Sequence, residues 1–197
     1  MNAGRIGLGL LLLAALALHA WSMGRPNLPH MLWSCHVASA VLAIGLLLNR
    51  FKLVAAGFLF HLAIGFPAWL VEVAVSRGTF GASAVTPRVF ATSILLHSLP
   101  LFAGALYLRR RPIPAGSLAL AWLFQVAMVP VSRWVTPPEL NVNLAHALWR
   151  PLAGSSVNWW FFQLIVWVAT LGSLLLVRAL WNAFVAPEHQ VPEHRGV

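Results

Sequence analysis

The chain has 197 residues, of which 60% are apolar and 9% charged, and a formal charge of +9 at pH 7. A soluble domain carries roughly 25% charged residues, so this chain has too few to coat a globule. Its 13 basic residues are scattered between long apolar runs, which argues against a nucleic-acid surface and for loop charges that set membrane topology. One cysteine, Cys35, excludes an intramolecular disulfide and a cysteine-rich metal site.

Arg5 followed by the apolar run from Ile6 to Leu18 has the layout of a secretory signal. Cleavage is not expected, because the next apolar run follows too closely to leave a separate mature domain. A bilayer core of about 30 Å needs about 20 helical residues. Six segments meet that length: Gly4 to Met23, His30 to Leu48, Lys52 to Val75, Val89 to Leu108, Ala115 to Val135 and Val157 to Leu180. The turns between them pair charge with helix breakers, as in Arg25-Pro26-Asn27 and Arg109-Arg110-Arg111-Pro112. The expected fold is all-α, a polytopic bundle of six transmembrane helices over residues 1–185, followed by a polar tail over 186–197.

Six spans place both termini on one side. That side holds Arg5, Arg50, Lys52, Arg109, Arg110, Arg111, Arg178 and Arg195, against Arg25, Arg77, Arg88, Arg133 and Arg150 on the other. The bias puts both ends in the cytoplasm of a bacterial inner-membrane protein. Trp21, Trp33, Trp69, Trp134, Trp149, Trp159 and Trp160 then fall near outer ends and Trp181 near the inner one; aromatic belts explain most of them, and a tryptophan lining for a ligand or pigment is the alternative.

Polar side chains at membrane depth are expensive to bury and mark function by default. His36, His61 and His97 lie in the second, third and fourth spans. At 1.5 Å per residue they sit about 9, 17 and 13 Å below the outer edge, so one layer can hold all three. In Gly57-x-x-x-His61-x-x-x-Gly65 two glycines share the histidine's face and admit a neighbouring backbone, which turns His61 toward protein. His97 stands in Ser93-x-x-x-His97-Ser98-Leu99-Pro100, where the proline frees the Leu96 carbonyl and predicts a kink beside the imidazole. Pro67 and Pro130 predict similar breaks in the third and fifth spans.

Cys35 adjoins His36, but neighbours on a helix diverge by about 100°, so a thiol–imidazole pair needs His61 or His97 from another helix. Such a pair would give an activated thiolate of the kind that forms acyl-enzyme intermediates. The alternative is a cysteine that packs as a small apolar residue. Glu72 is the one acidic residue inside a predicted span; it stands about 16 Å above His61 by helix rise and is read either as a substrate contact or as a carboxylate paired near the outer edge. The polar loop from Pro137 to Pro151 carries Asn141, Asn143 and His146, which are candidate substrate-binding groups above the histidine layer if the loop folds back over the bundle mouth; the alternative is a cap that merely closes the connection between the fifth and sixth spans. There is no H-x-x-x-H or E-x-x-H pair, so no metal ligands follow from spacing and no cofactor is identified. His19 and His30 lie near the outer edge and are read as interfacial or functional.

The pattern Leu95-Leu96-His97-Ser98-Leu99-Pro100-Leu101, then Asn141-Val142-Asn143-Leu144, then Arg150-Pro151-Leu152 before Trp159-Trp160-Phe161 resembles a family of small six-helix membrane proteins. That family includes bacterial YwaF-like proteins and a eukaryotic transmembrane acyltransferase of ether-phospholipid remodelling. The resemblance covers the last half of the chain. It implies a six-helix bundle and acyl-chain chemistry with a histidine such as His97 as base. The chain departs from the family's Gly-Pro-Trp-Pro-Trp-type signature, reading Ser156-Val157-Asn158-Trp159-Trp160, and the resemblance assigns no role to Cys35.

Three functions fit these residues. The first is an intramembrane lipid acyltransferase or hydrolase using Cys35, His36, His61 and His97. The second is a metal- or cofactor-binding membrane protein using the same histidines, and the third a non-catalytic subunit of a larger membrane complex. Membrane lipids are the expected partners, joined by other membrane subunits in the third case; nucleic acid is not expected.

Overall fold

A computed structural model describes residues 2–76, 79–80, 83–84, 86–109 and 111–185. Long helices dominate: α1 (Asn2–Met23), α2 (Ser34–Leu47), α3 (Phe51–Phe60), α4 (Phe66–Ser76), α5 (Pro87–Leu108), α6 (Ala115–Val135) and α7 (Trp159–Val185). A two-residue antiparallel pairing, Thr79–Phe80 with Ser83–Ala84, links α4 to α5. The polar tail expected over 186–197 lies outside the described residues.

Five helices are long and apolar enough to cross a membrane, with α3 and α4 counted together as one span over Phe51–Val75. The second expected span is different. Pro26 and Pro29 fall within Arg25–Leu32, which winds as a 3-10 helix and meets α2 at a bend of 72°. Only 14 residues of α2 remain, about 21 Å of rise, so a count of six holds only if that bent pair is one span.

The prolines also act differently from one another. α5 runs unbroken across Pro100 and α6 across Pro130. In the third span, Pro67 lacks the N–H that would reach the carbonyl of Ala63, and the chain widens just before it into a π turn, His61–Gly65, closed by Phe66 N to His61 O. Such π turns cluster at functional sites.

α2 and α3 form a tight antiparallel pair. Asn49 takes φ 55° at the turn, and Arg50 N reaches Gly45 O at 2.8 Å. Along the pair, a Cβ on Gly57 would come within 2.8 Å of the Ala38 carbonyl oxygen, so only glycine admits this spacing. α5 approaches as closely at Gly104, which lies against the Phe58 ring. Leu12, Leu42, Leu46, Phe58, Leu59 and Leu108 fill the resulting core, while Leu10, Phe102, Val168 and Leu176 point outward, as lipid-facing side chains do.

One end of the bundle is fastened by charge and amide groups. Arg5 donates to the carbonyls of Leu46 and Leu47 at the end of α2, satisfying acceptors that a helix C-terminus leaves open. Asn182 and Arg178 of α7 grip both backbone groups of Ile113. The opposite end carries the α6–α7 loop, whose organisation bears directly on the site.

Candidate functional site

The three histidines expected in one layer do converge. His36 and His97 have ring centroids 5.8 Å apart, and His61 and His97 6.5 Å apart. His36, His61 and His97 are all buried. Cys35 completes the group: its Sγ, one ring nitrogen of His36 and one of His97 all lie within 4.8 Å of one another. His97 therefore supplies the cross-helix imidazole that the sequence requires. A ring nitrogen of His36 also lies within 4.8 Å of the thiol, although the two residues are neighbours on the first turn of α2. Gly65 sits beside them: a Cβ there would stand 3.4 Å from Cys35 Cβ, so the π turn leaves room for the thiol.

Each of the three rings is held through Nδ1 by a backbone carbonyl. His36 Nδ1 donates to His30 O at 3.0 Å, His61 Nδ1 to Gly57 O at 3.2 Å and His97 Nδ1 to Ser93 O at 2.8 Å. A carbonyl only accepts, so in these contacts Nδ1 carries the proton and Nε2 keeps its lone pair. His61 Nε2 lies 3.1 Å from Ser39 Oγ, which also lies 3.1 Å from the Cys35 carbonyl oxygen.

Two further residues join: His19, read from sequence as interfacial or functional, and Trp69, read as part of an aromatic belt. His19 of α1 is buried, with its ring 5.1 Å from that of His36. Its Nδ1 is 2.8 Å from Thr92 Oγ1, which is 2.8 Å from Ser22 Oγ. Trp69, assigned to an aromatic belt, stacks on His97 at 5.0 Å with planes 16° apart, and its Nε1 donates to Ser93 Oγ at 2.9 Å. The available signals were helical spacings, Ser22 one turn from His19 and Trp69 four residues past Gly65, and neither declares a rotation toward the site.

The loop residues proposed for substrate are engaged within the protein. Asn143 Oδ1 accepts from both Ser34 N and Ser34 Oγ at 2.8 Å, and its Nδ2 donates to Leu32 O and Ser132 Oγ. It thus caps α2 from another part of the chain, one residue before Cys35. Asn141 Oδ1 accepts from the backbone of His146 and Ala147, and His146 Nε2 approaches Thr136 O at 3.1 Å. Glu72 accepts from Trp149 Nε1 at 3.2 Å, tying α4 to the same loop. Arg133 donates to Ala145 O and covers the Trp159 ring at 4.7 Å.

The arrangement offers a thiol at the first turn of a helix, where the macrodipole favours negative charge, beside imidazole nitrogens that keep a lone pair. It also offers a set of one sulfur and several nitrogen donors that suits a soft or borderline metal ion. No family model, no curated protein and no solved structure matches this chain.

Proposed function

We propose that this membrane protein is a lipid-modifying enzyme in which Cys35 attacks the acyl ester of a membrane lipid with His97 as base. The observation that carries this is the meeting of the Cys35 thiol with nitrogens of His36 and His97 within 4.8 Å inside a membrane bundle. His97 Nε2 takes the thiol proton. The thiolate forms a bond to the acyl carbon while the ester C–O bond breaks, and the departing oxygen takes the proton back from His97. Water or a second lipid alcohol, deprotonated by the same nitrogen, then attacks the thioester and releases the thiol. The resemblance of the Leu95–Leu101 stretch to the acyltransferase-containing family points the same way. On the charge bias between loops we place the chain in a bacterial inner membrane with both termini cytoplasmic.

The test is an intact-mass measurement of purified protein in bilayers of defined phospholipid. Wild-type protein is expected to gain one acyl group that hydroxylamine removes, and Cys35→Ala is expected to gain none. Turnover by Cys35→Ala at the wild-type rate would overturn the thiol mechanism.

One observation favours a second reading. Histidines whose Nδ1 is backed by a carbonyl are arranged as metal ligands commonly are, and Cys35, His36 and His97 form a donor set suited to zinc or copper. Stoichiometric metal retained through purification, and lost in His36→Ala and His97→Ala, would favour this reading.

A further inference from the structure

An apolar cavity of about 160 Å³ lies between α2, α3 and α6. Its floor is made by small residues, Ala38, Gly57 and Ala121, all buried, and its rim by Val41 and the exposed Leu120. A dry apolar cavity of about 150 Å³ accepts a six-carbon ring, so this one accommodates a comparable length of hydrocarbon. Ala38 stands three residues past Cys35 on α2, about 4.5 Å further along the helix. Gly57 stands one turn from His61 on α3 and accepts its Nδ1 proton. The cavity is therefore lined by residues about one helical turn from Cys35 on α2 and from His61 on α3, and its exposed rim faces the surroundings of the bundle. For a membrane-spanning bundle those surroundings are lipid tails.

We infer that this groove seats the first several carbons of the acyl chain whose ester Cys35 attacks, admitted sideways from the bilayer past Leu120. The inference rests on the acyl-transfer reading of Cys35 and names the part of the substrate that fixes its position. An ester carbon held at Sγ would let the adjoining methylenes run along Ala38 onto the floor at Ala121.

The experiment uses full-length Cys35→Ala protein in bilayers containing phosphatidylcholine with a photoactivatable diazirine at carbon 6 of one chain. Peptide mapping is expected to find crosslinks on the floor residues. Labelling there should fall roughly tenfold in Ala121→Phe, where the added ring overfills the groove, while labelling of outward-facing Phe102 stays unchanged. Leu120→Trp, an exposed substitution that leaves the core intact, narrows the rim and is expected to give the same loss if Ala121→Phe does not fold. Floor labelling with no acyl adduct on wild-type Cys35 would keep the groove and sink the thiol mechanism. An adduct without floor labelling would do the reverse. Crosslinks joining two copies of the chain at these positions would overturn the groove's assignment to lipid.

Discussion

Trp69 lies flat on His97, ring centroids 5.0 Å apart and planes 16° apart, while its indole N–H holds Ser93, the residue whose carbonyl fixes His97 Nδ1. One side chain thus restrains the imidazole both by its face and through the hydrogen bonds behind it. Trp69 is a positioning residue in this arrangement, acting through His97 and Ser93.

Trp69→Ala is therefore expected to slow acylation of Cys35 by roughly 10- to 100-fold, the scale of a misplaced catalytic group. The fall should appear in kcat with KM little changed, and Trp69→Phe, which keeps the stacking surface, should recover much of the rate. Equal kcat in wild type and Trp69→Ala would rule out a positioning role.

Asn143→Ala removes four hydrogen bonds and leaves Ser34 N and Leu32 O without their partner. Buried groups left unpaired cost about 1–3 kcal/mol each, so a loss of roughly 2–4 kcal/mol is expected in thermal unfolding of the solubilised protein. Asn143 also has φ 55°. Asn143→Gly, which adopts that angle freely, should be less damaging than Asn143→Ala by about 1 kcal/mol. Identical melting for the two variants would show that backbone conformation contributes nothing there.

Gly104→Ala would put a Cβ 2.4 Å from Phe58 Cδ2. Overpacking of this kind costs about 1–3 kcal/mol, and shrinking the neighbour should relieve it. The double variant Gly104→Ala with Phe58→Leu is expected to melt higher than the sum of the two single effects predicts. Strict additivity would mean that the α3–α5 contact is looser than described.

A chelator separates the two readings of the cluster. Acyl transfer through Cys35 and His97 proceeds without a metal ion, so prolonged EDTA treatment is expected to leave the acylation rate unchanged. Loss of acylation on chelation, restored by zinc or copper alone, would move the assignment to a metal centre.

The depth of the histidines was legible because a helix has a fixed rise: His36, His61 and His97 could be ranked in one layer from residue number alone. Gly57 and Gly65 signalled close approach, and each does lie against α2, at Ala38 and at Cys35. Rotation about a helix axis is less readable where the helix is apolar all round, since lipid and core select the same side chains. Hence His19 could be read as interfacial or functional and Trp69 as a belt residue, although both turn inward. Asn141 and Asn143 looked like ligand donors because polarity alone does not say whether an amide serves a substrate or a helix end. The bend at the start of the second expected span was not legible: Pro26 and Pro29 lie within Arg25–Leu32, a 3-10 helix that the apolar pattern of the region does not reveal.

The π turn over His61–Gly65 carries one residue more than an α-turn of the same height would. Everything beyond it is swung by about 100° from where an uninterrupted helix would carry it, and the indole of Trp69 faces His97 only through that swing. Winding the same residues as an ordinary α-helix would turn the indole by that angle, whereas deleting one residue together with the π turn would leave its aim unchanged. The aim of this segment is thus stored in how the chain is wound between Phe60 and Phe66, not in its composition.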